Sequence, residues 1–176
     1  MPKIIDGVRE NLLSAARTQL LGGGYTALSL RALARECKIA VGTIYNYFDS
    51  KESLVAHVIA ADWQDTRKKM KDLCLEAATV PDGICAVFTQ LQEFERMYSG
   101  VFSQFAGLGR PAGLSERHQL LRSQLVEQID GLLARFGRQD RVLSPIAAET
   151  VLASSLQPDI DEAGIRLFAE KLFEIK

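Results

Sequence analysis

A chain of 176 residues, 47% hydrophobic and 24% charged, fits one domain or a small domain joined to a modest second one. It has no uninterrupted apolar run near the ~20 residues a membrane helix needs, and its start, MPKIIDGVRENLL, lacks the apolar segment of a secretory signal. Three widely spaced cysteines, Cys37, Cys74 and Cys85, do not suggest a disulfide framework, so a reducing cytoplasm is the expected compartment, with no membrane partner.

The net charge of −1 hides an asymmetry. Residues 1–51 hold seven basic and four acidic side chains, a net +3; the remaining 14 basic and 18 acidic side chains leave −4 for residues 52–176. A basic head on an acidic body suits a protein that meets phosphate with one end only.

In chain order, Ile5, Val8, Leu12, Ala15, Ala16 and Leu20 recur at helical spacing, and Gly22-Gly23-Gly24 is expected to stop that helix. Ser29 suits an N-cap for a second helix whose buried stripe is Leu30, Leu33, Ala34 and Cys37. Lys38-Ile39-Ala40 makes a turn with Ile39 pointing inward, and a third helix is expected from Val41 to about Phe48. Ile44 and Phe48 face its core, which leaves Gly42, Thr43, Tyr45, Asn46 and Tyr47 for a partner. Small, polar and aromatic tips concentrated in one turn read as a helix-turn-helix whose second helix enters a DNA major groove. Asp49-Ser50-Lys51-Glu52 has capping-box spacing from Asp49 to Glu52 and opens a long helix to about Ala78. The Arg67-Lys68-Lys69-Lys71 cluster on that helix reads as a solvated face.

Thr79 to Gly83 breaks the pattern. Ile84, Val87, Phe88, Leu91, Phe94 and Tyr98 then mark another helix, weakened at Gly100 and followed by a short aromatic segment, Val101 to Phe105. Gly107 to Gly113 reads as a loop. Leu121, Leu125, Ile129, Leu132 and Leu133 sketch a helix that ends near Gly137. Ser144-Pro145 opens a short Ala- and Ser-rich helix, and Pro158 the last one. With no alternating strand pattern the chain is expected to be all-α, divided into a DNA-binding domain, 1–50, and a second domain, 51–176.

Residues 12–54 resemble the N-terminal domain of the tetracycline-repressor (TetR) family of transcription regulators. The resemblance lies in Leu12-Leu13, Ala15-Ala16, Gly24-Tyr25-Thr26, Ser29 to Ala34, Gly42-Thr43-Ile44-Tyr45-Asn46-Tyr47-Phe48 and Ser50-Lys51-Glu52-Ser53-Leu54. It implies a homodimeric repressor of about nine helices: a three-helix head, a ligand-responsive body, and a dimer interface made by the last two helices. Two positions depart from the pattern. Lys38 stands where glycine is common, so an L-residue has to hold a left-handed turn at ~1 kcal/mol or more; Val41 replaces a frequent polar or basic side chain.

Chemistry assigns the contacts. Gly42 permits close approach and offers backbone N–H groups to phosphate, Thr43 offers a hydroxyl and a methyl, Tyr45 and Tyr47 reach phosphate, and Asn46 suits adenine. Lys51, Ser29 and Arg31 are expected to anchor phosphate. The resemblance puts Thr43, Tyr45, Asn46, Tyr47 and Lys51 on positions that contact DNA in the family, while a structural role for Tyr45 between helices one and three stays open. The implied partner is a palindromic double-stranded operator. Candidate walls for an apolar or amphipathic effector are Phe88, Leu91, Met97, Tyr98, Phe102, Phe105 and Leu121, each of which also reads as plain core. No catalytic residue, cofactor or metal site is expected: glycine loop, nucleophile–base pair and ligand spacing are all lacking, and His57 and His118 lie far apart. The competing readings are a helical protein-interaction module and a regulator that works without a ligand.

Overall fold

The computed structural model describes residues 7–107 and 114–173, without the side chains of 105–107 and 114–117. Eight helices lie in this range: α1 (Val8–Ala27), α2 (Leu30–Glu36), α3 (Val41–Ile44), α4 (Lys51–Glu76), α5 (Val80–Gly107), α6 (Leu114–Arg135), α7 (Leu143–Ser154) and α8 (Glu162–Leu172). There is no strand among the described residues. The all-α expectation holds, with eight helices described where about nine were expected. Gly100 does not interrupt α5, which runs through the aromatic segment to Gly107. The glycine loop expected up to Gly113 lies mostly outside the described residues. The last helix starts at Glu162 rather than at Pro158, because the Asp161 carboxylate accepts from Gly164 N at 2.9 Å and supplies the cap.

The chain forms two compact units. One joins Met1–Gln64 with Met97–Arg110, the other Asp65–Arg96 with Pro111–Lys176, so α4 and α5 each contribute to both. The sequence boundary after residue 50 marks the end of the first three helices; the first unit also takes in the beginning of α4 and the end of α5.

In the first unit, Leu12, Ala16 and Leu20 of α1, Leu33 of α2, Ile44 of α3 and Leu54 and Val55 of α4 are almost wholly buried. The glycine triplet does not end α1. It kinks the helix at Gly24 (φ 75°, ψ −175°), and helical turns resume to Ala27. A Cβ at Gly24 would stand 2.7 Å from the Gln104 amide, whose Oε1 accepts from Thr26 N at 3.1 Å. Glycine is needed there for its φ, and a Cβ would also make the Gln104 side chain shift. A polar knot lies further along: the Asp62 carboxylate accepts from Arg17 Nε at 2.8 Å and from the buried Tyr98 hydroxyl at 2.6 Å, joining α1, α4 and α5. Burial first, and the bond to Asp62 second, push the Tyr98 phenol well above its ordinary pKa.

The second unit is built on Met70, Ile84, Phe88, Leu91, Leu125, Ile129, Leu132, Ala148, Val151 and Ile165, all buried. Gly83 lets α5 lie close on α6, since a Cβ there would meet Leu132 at 2.5 Å. Arg166 of α8 reaches Asp82 of α5 at 2.7 Å. The Thr79 hydroxyl first, and Arg166 second, hold the Asp82 carboxyl below its usual range. As expected, α6 ends near Gly137, its last helical residue being Arg135. Arg138 N donates to Leu133 O and Gly137 N to Ala134 O around a left-handed glycine (φ 69°), the pattern of a Schellman cap.

The same cap ends α2, with a lysine in the glycine position. Ile39 N donates to Ala34 O at 2.9 Å and Lys38 N to Arg35 O at 3.2 Å, while Lys38 holds φ 54°. A left-handed L-residue costs roughly 1–2 kcal/mol, partly offset in a Lys38→Gly variant by the extra chain entropy glycine must lose. The variant should therefore gain up to about 1 kcal/mol, seen as a Tm rise of roughly 2–4 °C in thermal unfolding. Tyr98→Phe should cost about 1.5–3 kcal/mol in urea unfolding, since it removes a bond to a carboxylate and leaves that oxygen short of one donor.

Candidate nucleic-acid interface

The turn at Lys38 sets α3 against α2, and two buried side chains hold it there. Ile44 and Phe48 are 1% and 2% exposed, and Phe48 is flanked by Arg9 over its ring (5.6 Å) and by the His57 ring edge-on (5.3 Å). The expected third helix from Val41 to Phe48 is helical only over Val41–Ile44; residues 45–47 form turns. Asn46 N donates to Thr43 O and Tyr47 N to Ile44 O, three residues back rather than four. Three-residue spacing turns the backbone more tightly than an α-helix, which brings Tyr45, Asn46 and Tyr47 around quickly after the Ile44 anchor.

With its core-facing side chains pinned, this segment exposes the rest. Val41, Gly42, Tyr45 and Asn46 are exposed, and Thr43 and Tyr47 are half-buried. Tyr45 is 52% exposed, which speaks against a packing role between α1 and α3. A Cβ at Gly42 would meet nothing within 4 Å. No neighbour inside this chain requires a glycine there, although close approach of an outside partner would. The expectation that the start of α3 offers its N–H groups to phosphate is narrowed: Thr43 N is already bonded to Ala40 O at 2.9 Å.

Ser29 and Arg31 are exposed at the start of α2, where Ser29 Oγ accepts from Ala32 N at 3.3 Å as the expected cap. A residue that sequence reasoning passed over, Gln19 of α1, grips both ends of α2. Its Oε1 accepts from Ser29 N at 3.3 Å, and its Nε2 donates to Glu36 at 3.2 Å. A carboxamide on the exposed flank of an amphipathic helix gives no sequence signal for such a task.

The cap of α4 also differs from the expected capping box. Ser50 rather than Asp49 is the cap, its Oγ accepting from Ser53 N at 3.0 Å, and Glu52 instead accepts from the Tyr25 hydroxyl at 2.6 Å. Lys51 Nζ sits 4.2 Å from the centroid of the Tyr25 ring. A ring face attracts the ammonium without consuming its N–H donors in ordinary hydrogen bonds, so Lys51 is held in place and still able to donate to phosphate. Partial burial lowers its pKa, with Glu52 pulling the other way.

The candidate effector residues fall into different surroundings. Phe88, Leu91 and Leu121 are buried in the second unit. In the first, Tyr98 is buried and stands 5.9 Å from the half-buried Phe102 ring, Met97 is 42% exposed, and the Phe105 side chain lies outside the described residues. Two clefts in the second unit, of about 520 and 310 Å³, are lined by other residues. Among the described residues no helix is long and apolar enough to cross a membrane.

An all-α protein with a helix-turn-helix at its head, an exposed aromatic and amide edge, and anchored cations beside it has the form of the helix-turn-helix DNA readers. Residues 12–58, the N-terminal head, match the model of the bacterial regulatory proteins of the tetR family. The chain is 38% identical over 63 residues to the transcriptional repressor KstR of Rhodococcus jostii, covering 35% of this chain and 30% of KstR. It is 31% identical over 64 residues to the transcriptional regulator UidR of Escherichia coli K12, covering 36% of this chain and 33% of UidR. The chain thus spans about a third of the length of the relatives it matches. Solved structures extend the likeness of fold to the whole molecule. A transcriptional regulator from Rhodococcus sp. RHA1 superposes with TM-score 0.69 at 18% identity, over 96% of this chain and 95% of that one. Salmonella enterica GusR superposes with TM-score 0.66 at 18% identity, over 98% and 100%.

A Gly42→Ala variant separates inward from outward reasons for the glycine. Alanine should leave the fold unchanged or more stable by ~0.5–1 kcal/mol, as in other helical positions. It should at the same time weaken binding to duplex DNA several-fold, measured by fluorescence anisotropy beside a thermal melt.

Proposed function

We propose that this protein is a homodimeric, cytoplasmic DNA-binding transcriptional regulator, a repressor released from a palindromic operator by a small apolar or amphipathic ligand. The observation that carries the reading is the edge Val41-Gly42-Tyr45-Asn46, exposed beside a buried Ile44–Phe48 anchor within the segment that matches the family model. Asn46 is the base reader, Thr43, Tyr45 and Tyr47 are groove and phosphate contacts, and Ser29, Arg31 and Lys51 are phosphate anchors. Residues 1–50 act as the reading domain and 51–176 as the domain of dimerisation and control.

Pairing through α7 and α8 is supported by the large apolar side chains they and their flanks leave in solvent: Val142 (70% exposed), Ile146 (47%), Leu156 (62%) and Leu167 (55%). Such a face is costly in a lone subunit, and a two-fold axis would cover it on both copies at once. A dimer of readers calls for half-sites about one helical turn (~34 Å) or a little more apart. The effector reading draws on Bacillus subtilis FadR, whose structure contains stearoyl-CoA and which shares this fold (TM-score 0.57, 16% identity). A ligand that favours the DNA-incompetent arrangement shifts the population by no more than its differential affinity for the two states.

Selection of bound fragments from random DNA by the purified protein should return a palindrome; recovery of no enriched sequence would argue for a helical interaction module. On that site, Asn46→Ala should lose preference over random DNA while keeping most non-specific affinity. Tyr47→Ala should weaken binding to both duplexes alike. Anisotropy titrations at several salt concentrations read the two effects apart, because non-specific binding depends on counterion release.

A further inference from the structure

The smaller cleft of the second unit, about 310 Å³, lies between the later turns of α4 and the middle of α6. Its charged lining is Arg67 and Lys71 from α4 with Glu127 and Arg135 from α6, and Leu75 and Leu132 add apolar wall. Three cations face one carboxylate. Arg135 is already committed: its Nη1 donates to the carbonyls of Cys74 and Ala77, where it closes the C-terminal end of α4. Lys71 is exposed and makes no ion pair among the described residues.

Arg67 is the unfinished part. Its Nη2 donates to Glu127 Oε2 at 3.2 Å, yet Nε, the other donor on the same edge of the guanidinium, is buried without any hydrogen-bond partner. A buried donor left unmade costs about 1–3 kcal/mol, and more on a charged group. The Nε–Nη2 edge matches a carboxylate or phosphate, whose two oxygens engage both nitrogens in parallel. Glu127 uses only one of them and is 68% exposed, so the resting pair is weak and displaceable. The Leu75 side chain, 57% exposed, offers apolar surface next to this charge.

We propose that the Arg67–Lys71 cleft binds a small amphipathic anion, a carboxylate or phosphate with a short apolar body, which takes the place of Glu127 on the Arg67 guanidinium. Its oxygens bridge Nε and Nη2 after a small turn of the side chain, Lys71 adds a second cation, and the apolar part lies on Leu75 and Leu132. A volume of about 310 Å³ is at the lower end of small-molecule sites, which suits a short chain rather than a bulky ring system. That occupancy governs DNA release rests on the function proposed above; the binding itself does not.

Isothermal titration calorimetry of the full chain with octanoate, octyl phosphate and octanol tests the site without DNA. Saturable binding of one octanoate or octyl phosphate per chain is expected, with octanol at least tenfold weaker. Arg67→Gln and Lys71→Gln should each weaken octanoate at least fivefold, and Glu127→Gln should bind it as well as the native chain or better. Lys71 is exposed, so its variant keeps the test meaningful even where loss of Arg67 disturbs the fold. Octanol binding equal to octanoate, or octanoate binding unchanged in the Lys71 variant, overturns the proposal. Binding without release from the selected DNA would leave the anion site standing and sink only its role as effector.

Discussion

Burial of Ile44 and Phe48, four residues apart, is the constraint on which the reading head depends. Each sits almost wholly in the core, and between them the backbone tightens to three-residue spacing, which turns Tyr45 and Asn46 outward and leaves Tyr47 half-buried. Exposure of Tyr45 and Asn46 is therefore enforced by packing. The left-handed turn at Lys38 gives the anchor its direction, because the two crossed hydrogen bonds of the cap fix where α2 stops and the chain toward α3 departs. A strained residue can persist there only because surrounding contacts over-determine its conformation.

The first unit holds this head with polar contacts set into an apolar core. Gln19 clamps α2 at both ends, Tyr25 joins the end of α1 to Glu52 and Lys51, and Asp62 gathers Arg17 and Tyr98. Apolar contacts tolerate sliding, whereas hydrogen bonds at 2.6–2.8 Å fix register. The end of α5 belongs to this unit by the same logic. Tyr98 and Gln104 engage α4 and α1, the Gln104 amide lying against Gly24. Cross-ties of this kind hold the reading edge on a rigid support, which is what a reader of a rigid groove requires.

The second unit has a different character. Its interior is apolar and close-packed, with Gly83 and the alanines of α7 letting helices approach closely. What it leaves exposed is specific: apolar side chains along α7 and α8, and a cationic cleft with one unsatisfied donor. The first is the surface proposed for pairing with a second copy, the second the site proposed for an anion. Neither depends on the other, since they involve separate helices and different forces.

Sequence by itself determined the helical class, most helix positions, and which side chains of residues 41–48 are buried and which exposed, because these follow from local spacing: Ile44 and Phe48 share a face, Ser29 is placed to cap, and Lys38 falls where the turn must go left-handed. It also carried the family resemblance of the head, which later comparisons bore out over residues 12–58. What only the tertiary structure decided is what distant residues do for one another. Glu52 has capping-box spacing but answers to Tyr25, 27 residues away. Gly24 has the look of a helix stop, yet it is a kink inside α1, beside which Gln104 bonds Thr26, 78 residues away. Arg67 reads as one more solvated cation in a basic run until packing buries its Nε and sets Glu127 of α6 against its edge. Spacing along a helix encodes which face is apolar; it carries no record of which side chain will stand opposite, and that pairing arises only when the helices pack.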